Sequence, residues 1–170
     1  MQRSKFYVNV FVVIIAVSLT VAVYSYYEVE NLDSFYAVHT TYINTSGMCS
    51  DNLSTMLLFY SSSCGTCGLE SSAFKNVTSL FGIWDGSRFY SQYFCAYAVN
   101  LTQYDQNAST VFAPPNSIAI FGQLSNGDVP LAVFGGRYYK IGGYYNYSED
   151  EAEIFKYICL AINNSAPQCR

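Results

Sequence analysis

Two cysteines separated by two residues, Cys64 and Cys67, follow an apolar run and three serines in the segment MLLFYSSSCGTCGLE, residues 56–70. Thiol–disulfide exchange needs a nucleophilic thiolate, a second thiol that resolves the mixed disulfide, and access for the partner. A pair at positions i and i+3 that opens a helix meets these needs, because the helix start stabilises the thiolate of the first cysteine and lowers its pKa. We therefore predict that Cys64 is the exposed nucleophile and that Cys67 is the more buried resolving thiol.

The same spacing also occurs in metal sites and in structural disulfides. A zinc site would need two further ligands, but His39 is the only histidine and the other cysteines are scattered along the chain. We therefore predict neither a metal nor another cofactor. A structural disulfide stays open as the second alternative, although a loop this short removes little entropy from the unfolded chain.

Composition restricts the class of protein. At 170 residues the chain has the length of one domain with a single core. Charged residues make up 12% and aromatic residues 18% of the sequence, which is too apolar for a disordered chain. The net charge is −4 and no basic patch is visible, so we do not predict that the protein binds nucleic acid.

The N-terminal segment has the pattern of a membrane anchor. Residues 6–24 are 19 positions without a charge, long enough as a helix to cross a bilayer. Arg3 and Lys5 precede this run, and basic flanks remain on the cytoplasmic side. A cleaved signal peptide is the alternative, but its apolar region is usually shorter. We predict a cytoplasmic tail (1–5) and a single transmembrane signal anchor (6–24). A spacer (25–47) then leads into an extracytoplasmic domain (48–170).

Export is also indicated by Asn-x-Ser/Thr sequons. Seven occur after the apolar run, whereas chance predicts about two for this composition. An alternative is that a surface rich in Ser and Asn produces them incidentally. The candidate glycan acceptors are Asn44, Asn52, Asn76, Asn100, Asn107, Asn146 and Asn163.

The pattern of apolar residues predicts an α/β domain. The run at 54–61 is typical of a strand buried on both faces, and residues 65–81 have helical spacing. A turn is predicted at 83–88 and a strand at 93–100. A further strand at 117–122 is predicted to form a hairpin, through Asn126-Gly127, with a return strand. Ser148 and Glu151 have the spacing of a capping box and predict the start of a closing amphipathic helix.

At this point the sequence resembles a known family. The segment MLLFYSSSCGTC followed by a helix resembles the strand–CxxC–helix unit of the thioredoxin superfamily, and the similarity in element order covers roughly residues 48–165. The resemblance implies a three-layer fold with a central mixed sheet. It also implies a cis-proline that precedes the hairpin and faces the cysteines, where the backbone of its neighbour binds the substrate chain. Pro115 best matches that proline, with Pro114 in the preceding place.

One departure from the family concerns proton transfer. Leu58 stands where thioredoxins have a buried Asp on the strand before the cysteines, so that proton acceptor is missing. Glu70, three residues after Cys67, is the nearest carboxylate in the helix. We predict that it is an exposed helical side chain; the alternative is that it accepts a proton from the pair.

The other four cysteines are predicted to form structural disulfides, as expected in an oxidising compartment. Cys95 lies inside a strand, and we pair it with Cys49 because the chain entering the central strand can pass its neighbour. Cys159 and Cys169 would then close a short C-terminal loop. Six cysteines allow 15 full pairings, so other connectivities stay open.

The predicted function is that of a membrane-anchored, extracytoplasmic thiol–disulfide oxidoreductase. Its predicted partners are thiols or disulfides of exported proteins, or a redox partner in the membrane. The alternative is a non-catalytic, thioredoxin-like subunit of a membrane complex that binds polypeptides, for which an aromatic surface with few charges would be suited.

Overall fold

The computed structural model describes residues 15, 17–21, 38–107, 112–143 and 146–170. The chain consists of two compact units, residues 1–35 and residues 36–170. In the first unit the described residues are helical, and most of the predicted anchor at 6–24 lies outside the described residues, as does the predicted tail at 1–5.

Within the described ranges, no helix has the length and apolar character needed to cross a bilayer.

The second unit alternates strands and helices in an α/β order. Its strands are β1 (His39–Thr40), β2 (Ser54–Tyr60), β3 (Ile83–Asp85), β4 (Arg88–Tyr90), β5 (Phe94–Asn100), β6 (Leu131–Phe134) and β7 (Tyr138–Ile141). Its helices are α1 (Cys67–Ser79), α2 (Leu101–Gln106), α3 (Ser117–Ser125) and α4 (Tyr147–Ala161). Short 3₁₀ turns occur at Ser50–Asn52 and Pro167–Cys169.

The strands form one mixed sheet in the order β1-β7-β6-β2-β5-β4-β3. The central strands β2 and β5 are parallel, with Leu57 opposite Tyr97, whereas the neighbouring pairs are antiparallel. A parallel pair needs a crossover connection, and the chain between β2 and β5 supplies it with α1 and the β3–β4 hairpin. As a result, the loop that carries the cysteine pair lies at the carboxyl end of the central strand.

Both faces of the sheet are covered. Alternate residues of β2 point to opposite sides, so Met56 and Leu58 pack with α1 and α4, while Leu57 and Phe59 pack with Ile120 of α3. Burial on both sides explains the continuous apolar run of β2, as the sequence predicts. The mixed α/β architecture is therefore confirmed.

Two disulfides fix the domain away from the CxxC pair. Cys49 bonds to Cys95, which ties the chain before β2 to β5, and Cys159 bonds to Cys169 at the C-terminal end. Their Cα–Cα distances of 5.8 and 5.5 Å are ordinary for disulfides. These are the two pairings chosen from the sequence.

Two predicted elements are wrong. The segment predicted as a turn at 83–88 is instead most of a hairpin, in which Trp84 pairs with Phe89. The segment predicted as a strand at 117–122 belongs to α3, since its apolar side chains cover one face of the sheet at helical spacing. Asn126 ends that helix in the left-handed region, at φ 51°, rather than turning a hairpin.

The hairpin of the second half is formed by β6 and β7, one element later than predicted. Its turn contains Gly135 and Gly136, both with positive φ. At Gly136 a side chain is also excluded by space, because a Cβ there would lie 2.2 Å from the carbonyl oxygen of Ile43.

Candidate redox site

Cys64 and Cys67 lie between the end of β2 and the start of α1 and are bonded to each other. The structure thus shows the oxidised pair, so neither sulfur carries a proton and each marks the position that a thiol or thiolate would take after reduction. Cys67 is 1% exposed, whereas Cys64 is partly exposed. Cys64 is therefore the more exposed residue of the pair, as the sequence predicts.

Helix α1 begins at Cys67, with Thr66 as its N-cap residue, so Cys64 lies just before the helix and not in its first turn. The Cys67 N–H nevertheless donates to the Cys64 sulfur at 3.2 Å. The Thr66 hydroxyl lies 3.7 Å from the same sulfur. After reduction, both groups would be donors to a thiolate at Cys64, and hydrogen bonds to a charged form stabilise it.

A third contact of the Cys64 sulfur identifies a residue that the sequence interpretation missed. The carbonyl oxygen of Val129 lies 3.6 Å from the Cys64 sulfur. Among the described residues, the peptide bond between Val129 and Pro130 is the one in the cis form. The structure therefore gives Pro130 the place that was predicted for Pro115. A proline directly before the apolar run LAVF was the available signal.

Pro114 and Pro115 have a different position, at the start of α3. The carbonyl oxygen of Pro114 accepts hydrogen bonds from the Ser117 hydroxyl and the Ser117 N–H, at 2.7 and 3.1 Å. Pro114 is buried and Pro115 is exposed. The prediction for these two prolines was wrong about the cis bond because the segment after them is a helix and not the first strand of the hairpin.

A groove of about 450 Å³ lies beside the cysteine pair. Its lining includes Ser61 and Ser63 of the loop before Cys64, together with Phe121 and Val129. The groove is lined further by Leu101, Thr102, Asp105, Gln106 and Gly127. Its lining is mostly uncharged, and Asp105 supplies the single charge among the described residues that form it.

Glu70, three residues after Cys67 on α1, belongs to a cluster of buried charges, a result that corrects its prediction. Glu70 is 1% exposed rather than a surface side chain, and its Oε2 atom lies 3.4 Å from Lys140 Nζ. Lys140 on β7 is completely buried and also pairs with Asp150 of α4. Glu153 Oε2 is 3.5 Å from the same nitrogen. One lysine thus faces three carboxylates, two of them fully buried.

This excess of carboxylates changes the protonation of the cluster. Burial, and then a hydrogen bond with Asp150, raise the pKa of Glu70 well above its usual value. Burial also raises the pKa of Glu153. Glu70 Oε1 and Asp150 Oδ2 are buried without a donor from another described group. A proton on Glu70 would turn this carboxyl group into a donor to Asp150.

For Lys140, the surrounding carboxylates outweigh burial and raise the pKa of its ammonium group. The cluster therefore places a carboxyl group with a raised pKa, that of Glu70, against an ammonium group whose pKa is also raised. Gly143 closes over it, since a Cβ at Gly143 would lie 2.9 Å from Glu70 Oε2.

The structure separates the seven sequons into two groups. Asn100 is 7% exposed and is the N-cap residue of α2. The other six asparagine side chains are exposed, and they are Asn44, Asn52, Asn76, Asn107, Asn146 and Asn163.

Comparison with known proteins gives no match, whether with protein-family models, with curated proteins or with solved structures.

Proposed function

We propose that this chain is a thiol–disulfide oxidoreductase of thioredoxin-like fold that acts through Cys64 and Cys67. The observation that carries the proposal is the surroundings of the Cys64 sulfur. Cys64 is the more exposed residue of the pair, its sulfur accepts the Cys67 N–H, and that sulfur lies 3.6 Å from the carbonyl oxygen before a cis-proline.

The order of elements supports the family resemblance. From β2 the chain runs through the cysteine pair to α1 and the parallel strand β5, then through α2 and α3 to the cis-proline, the antiparallel β6–β7 hairpin and the closing helix α4. This is the order that the resemblance to thioredoxins implies, with Pro130 in the place of Pro115. The β3–β4 hairpin is an addition between α1 and β5.

The reaction starting from the oxidised pair follows from exposure. A thiolate of the substrate attacks Cys64, a mixed disulfide forms, and Cys67 leaves as a thiolate. A second substrate thiolate then attacks the substrate sulfur of the mixed disulfide, so the substrate becomes oxidised and Cys64 is released as a thiolate. The same steps in reverse reduce a substrate disulfide. In both directions the first bond is made at Cys64, because Cys67 is enclosed.

Cys67 needs a proton when it leaves, because a thiolate in a buried position is unfavourable. Glu70 follows Cys67 by three residues on α1, and residues at this spacing are neighbours on a helix surface. Both side chains are 1% exposed. We propose that Glu70 exchanges its proton with Cys67. Glu70 would thereby replace the proton-transferring Asp for which Leu58 stands in this chain.

The substrate is a polypeptide, and the groove beside Cys64 is the proposed place for the segment that carries its cysteine. The Val129 carbonyl offers a backbone acceptor there. We further propose that the domain is exported and anchored by residues 6–24, on the evidence of the uncharged run and its flanks, the sequons and the three disulfides.

The test is trapping of the mixed disulfide. Replacement of Cys67 with Ala removes the resolving thiol, so this variant should accumulate a covalent adduct with a disulfide-containing peptide through Cys64. Cys64→Ala should neither form the adduct nor turn over. If Cys67→Ala gives no adduct while Cys64 remains accessible to a small alkylating reagent, the exchange reaction is contradicted and a polypeptide-binding subunit becomes the better account.

A further inference from the structure

Two of the three serines before Cys64, Ser61 and Ser62, are held by side chains from the end of β5 and the start of α2. Thr102 Oγ1 lies 2.7 Å from the Ser61 hydroxyl and accepts the Ser62 N–H at 3.0 Å. Asn100 Nδ2 donates to the Ser62 hydroxyl at 3.1 Å. The loop is therefore fixed from a neighbouring strand rather than by its own turn alone.

The restraint reaches Cys64 through hydrogen bonds within the loop. The Ser61 hydroxyl lies 2.8 Å from that of Ser63 and accepts the Ser63 N–H at 3.3 Å. The Ser61 carbonyl oxygen accepts the Cys64 N–H at 3.3 Å. Thr102 thus acts on the residue that sets the backbone position of Cys64.

Asn100 and Thr102 are also the two recognised residues of the sequon Asn100-Leu101-Thr102. N-glycosylation replaces a hydrogen of the Asn amide nitrogen with a sugar. In Asn100 that nitrogen donates a hydrogen bond to the Ser62 hydroxyl, and the amide oxygen accepts the Gln103 N–H at 3.4 Å. The residue is only 7% exposed. A glycan would displace Ser62 and open the loop that precedes Cys64.

We infer that Asn100 and Thr102 are positioning residues for Cys64, and that their sequon is not a glycan acceptor in the folded protein. The first part rests on the proposed function, because it takes Cys64 as the reacting sulfur. Fixing the Ser61–Ser63 loop keeps that sulfur beside the Cys67 N–H and the Val129 carbonyl, so the donors and the substrate acceptor are in place before a partner binds.

The experiment uses the full chain from a secretory host, three variants of the sequon and one control variant. Thr102→Val keeps the shape but removes the hydroxyl, whereas Thr102→Ser keeps both the hydroxyl and the sequon. Asn100→Asp keeps the oxygen that caps α2 but removes the donor to Ser62. Ser79→Ala, at the far end of α1, is the control for loss of a hydroxyl that bonds only within its helix.

The readouts are the alkylation rate of reduced Cys64 as a function of pH and the glycan occupancy of the Asn100 peptide by mass. Loss of one such hydrogen bond should slow alkylation of Cys64 at pH 7 by about two- to tenfold. We expect this for Thr102→Val and Asn100→Asp, wild-type rates for Thr102→Ser and Ser79→Ala, and no glycan on Asn100 in the wild type.

Unchanged alkylation in both Thr102→Val and Asn100→Asp would overturn the inference, and so would a glycan on Asn100 in the folded wild type. These outcomes differ from failure of the proposed function, which would appear as absence of exchange by the wild type itself. If Thr102→Val does not fold, as judged by near-ultraviolet circular dichroism, Asn100→Asp gives the result.

Discussion

Replacing Glu70 with Gln tests the buried charge cluster behind the cysteine pair. The raised pKa means that the native state keeps a proton on Glu70 at pH values where the unfolded chain, with a reference pKa of about 4.3, has released it. The contribution of Glu70 to stability is therefore fully present when the pH is below the pKa of its carboxyl group in the unfolded chain. It is lost as the pH rises through the pKa of the same group in the native state. A glutamine resembles the protonated acid at every pH and removes this loss.

The expected magnitude follows from linkage. For one proton, the free energy of unfolding changes by about 1.4 kcal/mol per pH unit between the two pKa values. The Glu70→Gln variant should match the wild type near pH 4 and become more stable as the pH rises, until the native pKa is reached. Neighbouring charges on the strand and helix packed against Glu70 are retained, namely Lys140, Asp150 and Glu153.

The assay is urea unfolding of the oxidised protein from pH 4 to pH 8, followed by the fluorescence of the single tryptophan. Trp84 packs against Phe74 and Phe89 and reports on the core. Glu149→Gln, on the exposed first turn of α4, is the matched control and should follow the pH curve of the wild type. A Glu70→Gln variant that is less stable than the wild type at pH 8, or whose difference does not vary with pH, would refute the assignment of a buried proton.

Three further predictions concern the same domain. Lys140→Met leaves the acidic side chains of Glu70, Asp150 and Glu153 without the cation they surround and should cost about 3–5 kcal/mol of unfolding free energy at pH 7, measured by the same urea titration; a cost below 1 kcal/mol would contradict the buried pairing. Asp105→Lys should lower the exchange rate of basic disulfide peptides relative to acidic ones by about three- to fivefold at low salt. An unchanged ratio would exclude the groove as the substrate site. Replacing the Cys49–Cys95 pair with alanines should destabilise the protein by about 4 kcal/mol, and replacing the Cys159–Cys169 pair by about 3 kcal/mol, because the first closes the longer loop; the reverse order in melting experiments would contradict this.

The elements around the cysteine pair were predictable because their signals are local. Strand β2 is a continuous apolar run, and α1 and α4 have apolar residues at helical spacing. The segment that became α3 was misjudged because SIAIF is short, apolar and rich in isoleucine, a composition that suits a buried strand as well as a buried helix face. The misplaced hairpin in turn led to Pro115 rather than Pro130.

The charge cluster could not be predicted because its members are distant in sequence. Glu70, Lys140 and Asp150 come from α1, β7 and α4, and each alone resembles an ordinary surface residue. Only the packing of α1 and α4 on one face of the sheet brings them together. Likewise, Asn100 looks like any other sequon until β5 places it beside the Ser61–Ser63 loop.

The central proposal is tested most directly by the alkylation rate of the two cysteines in the reduced protein across pH, followed residue by residue by peptide mass. If Cys64 is the nucleophile, it should react first, with an apparent pKa below the reference of about 8.5, while Cys67 should remain protected by burial. A Cys64 that reacts with an apparent pKa at or above about 8.5 would mean that the Cys67 N–H and the helix start do not activate it. That result would contradict the redox proposal and favour a polypeptide-binding subunit.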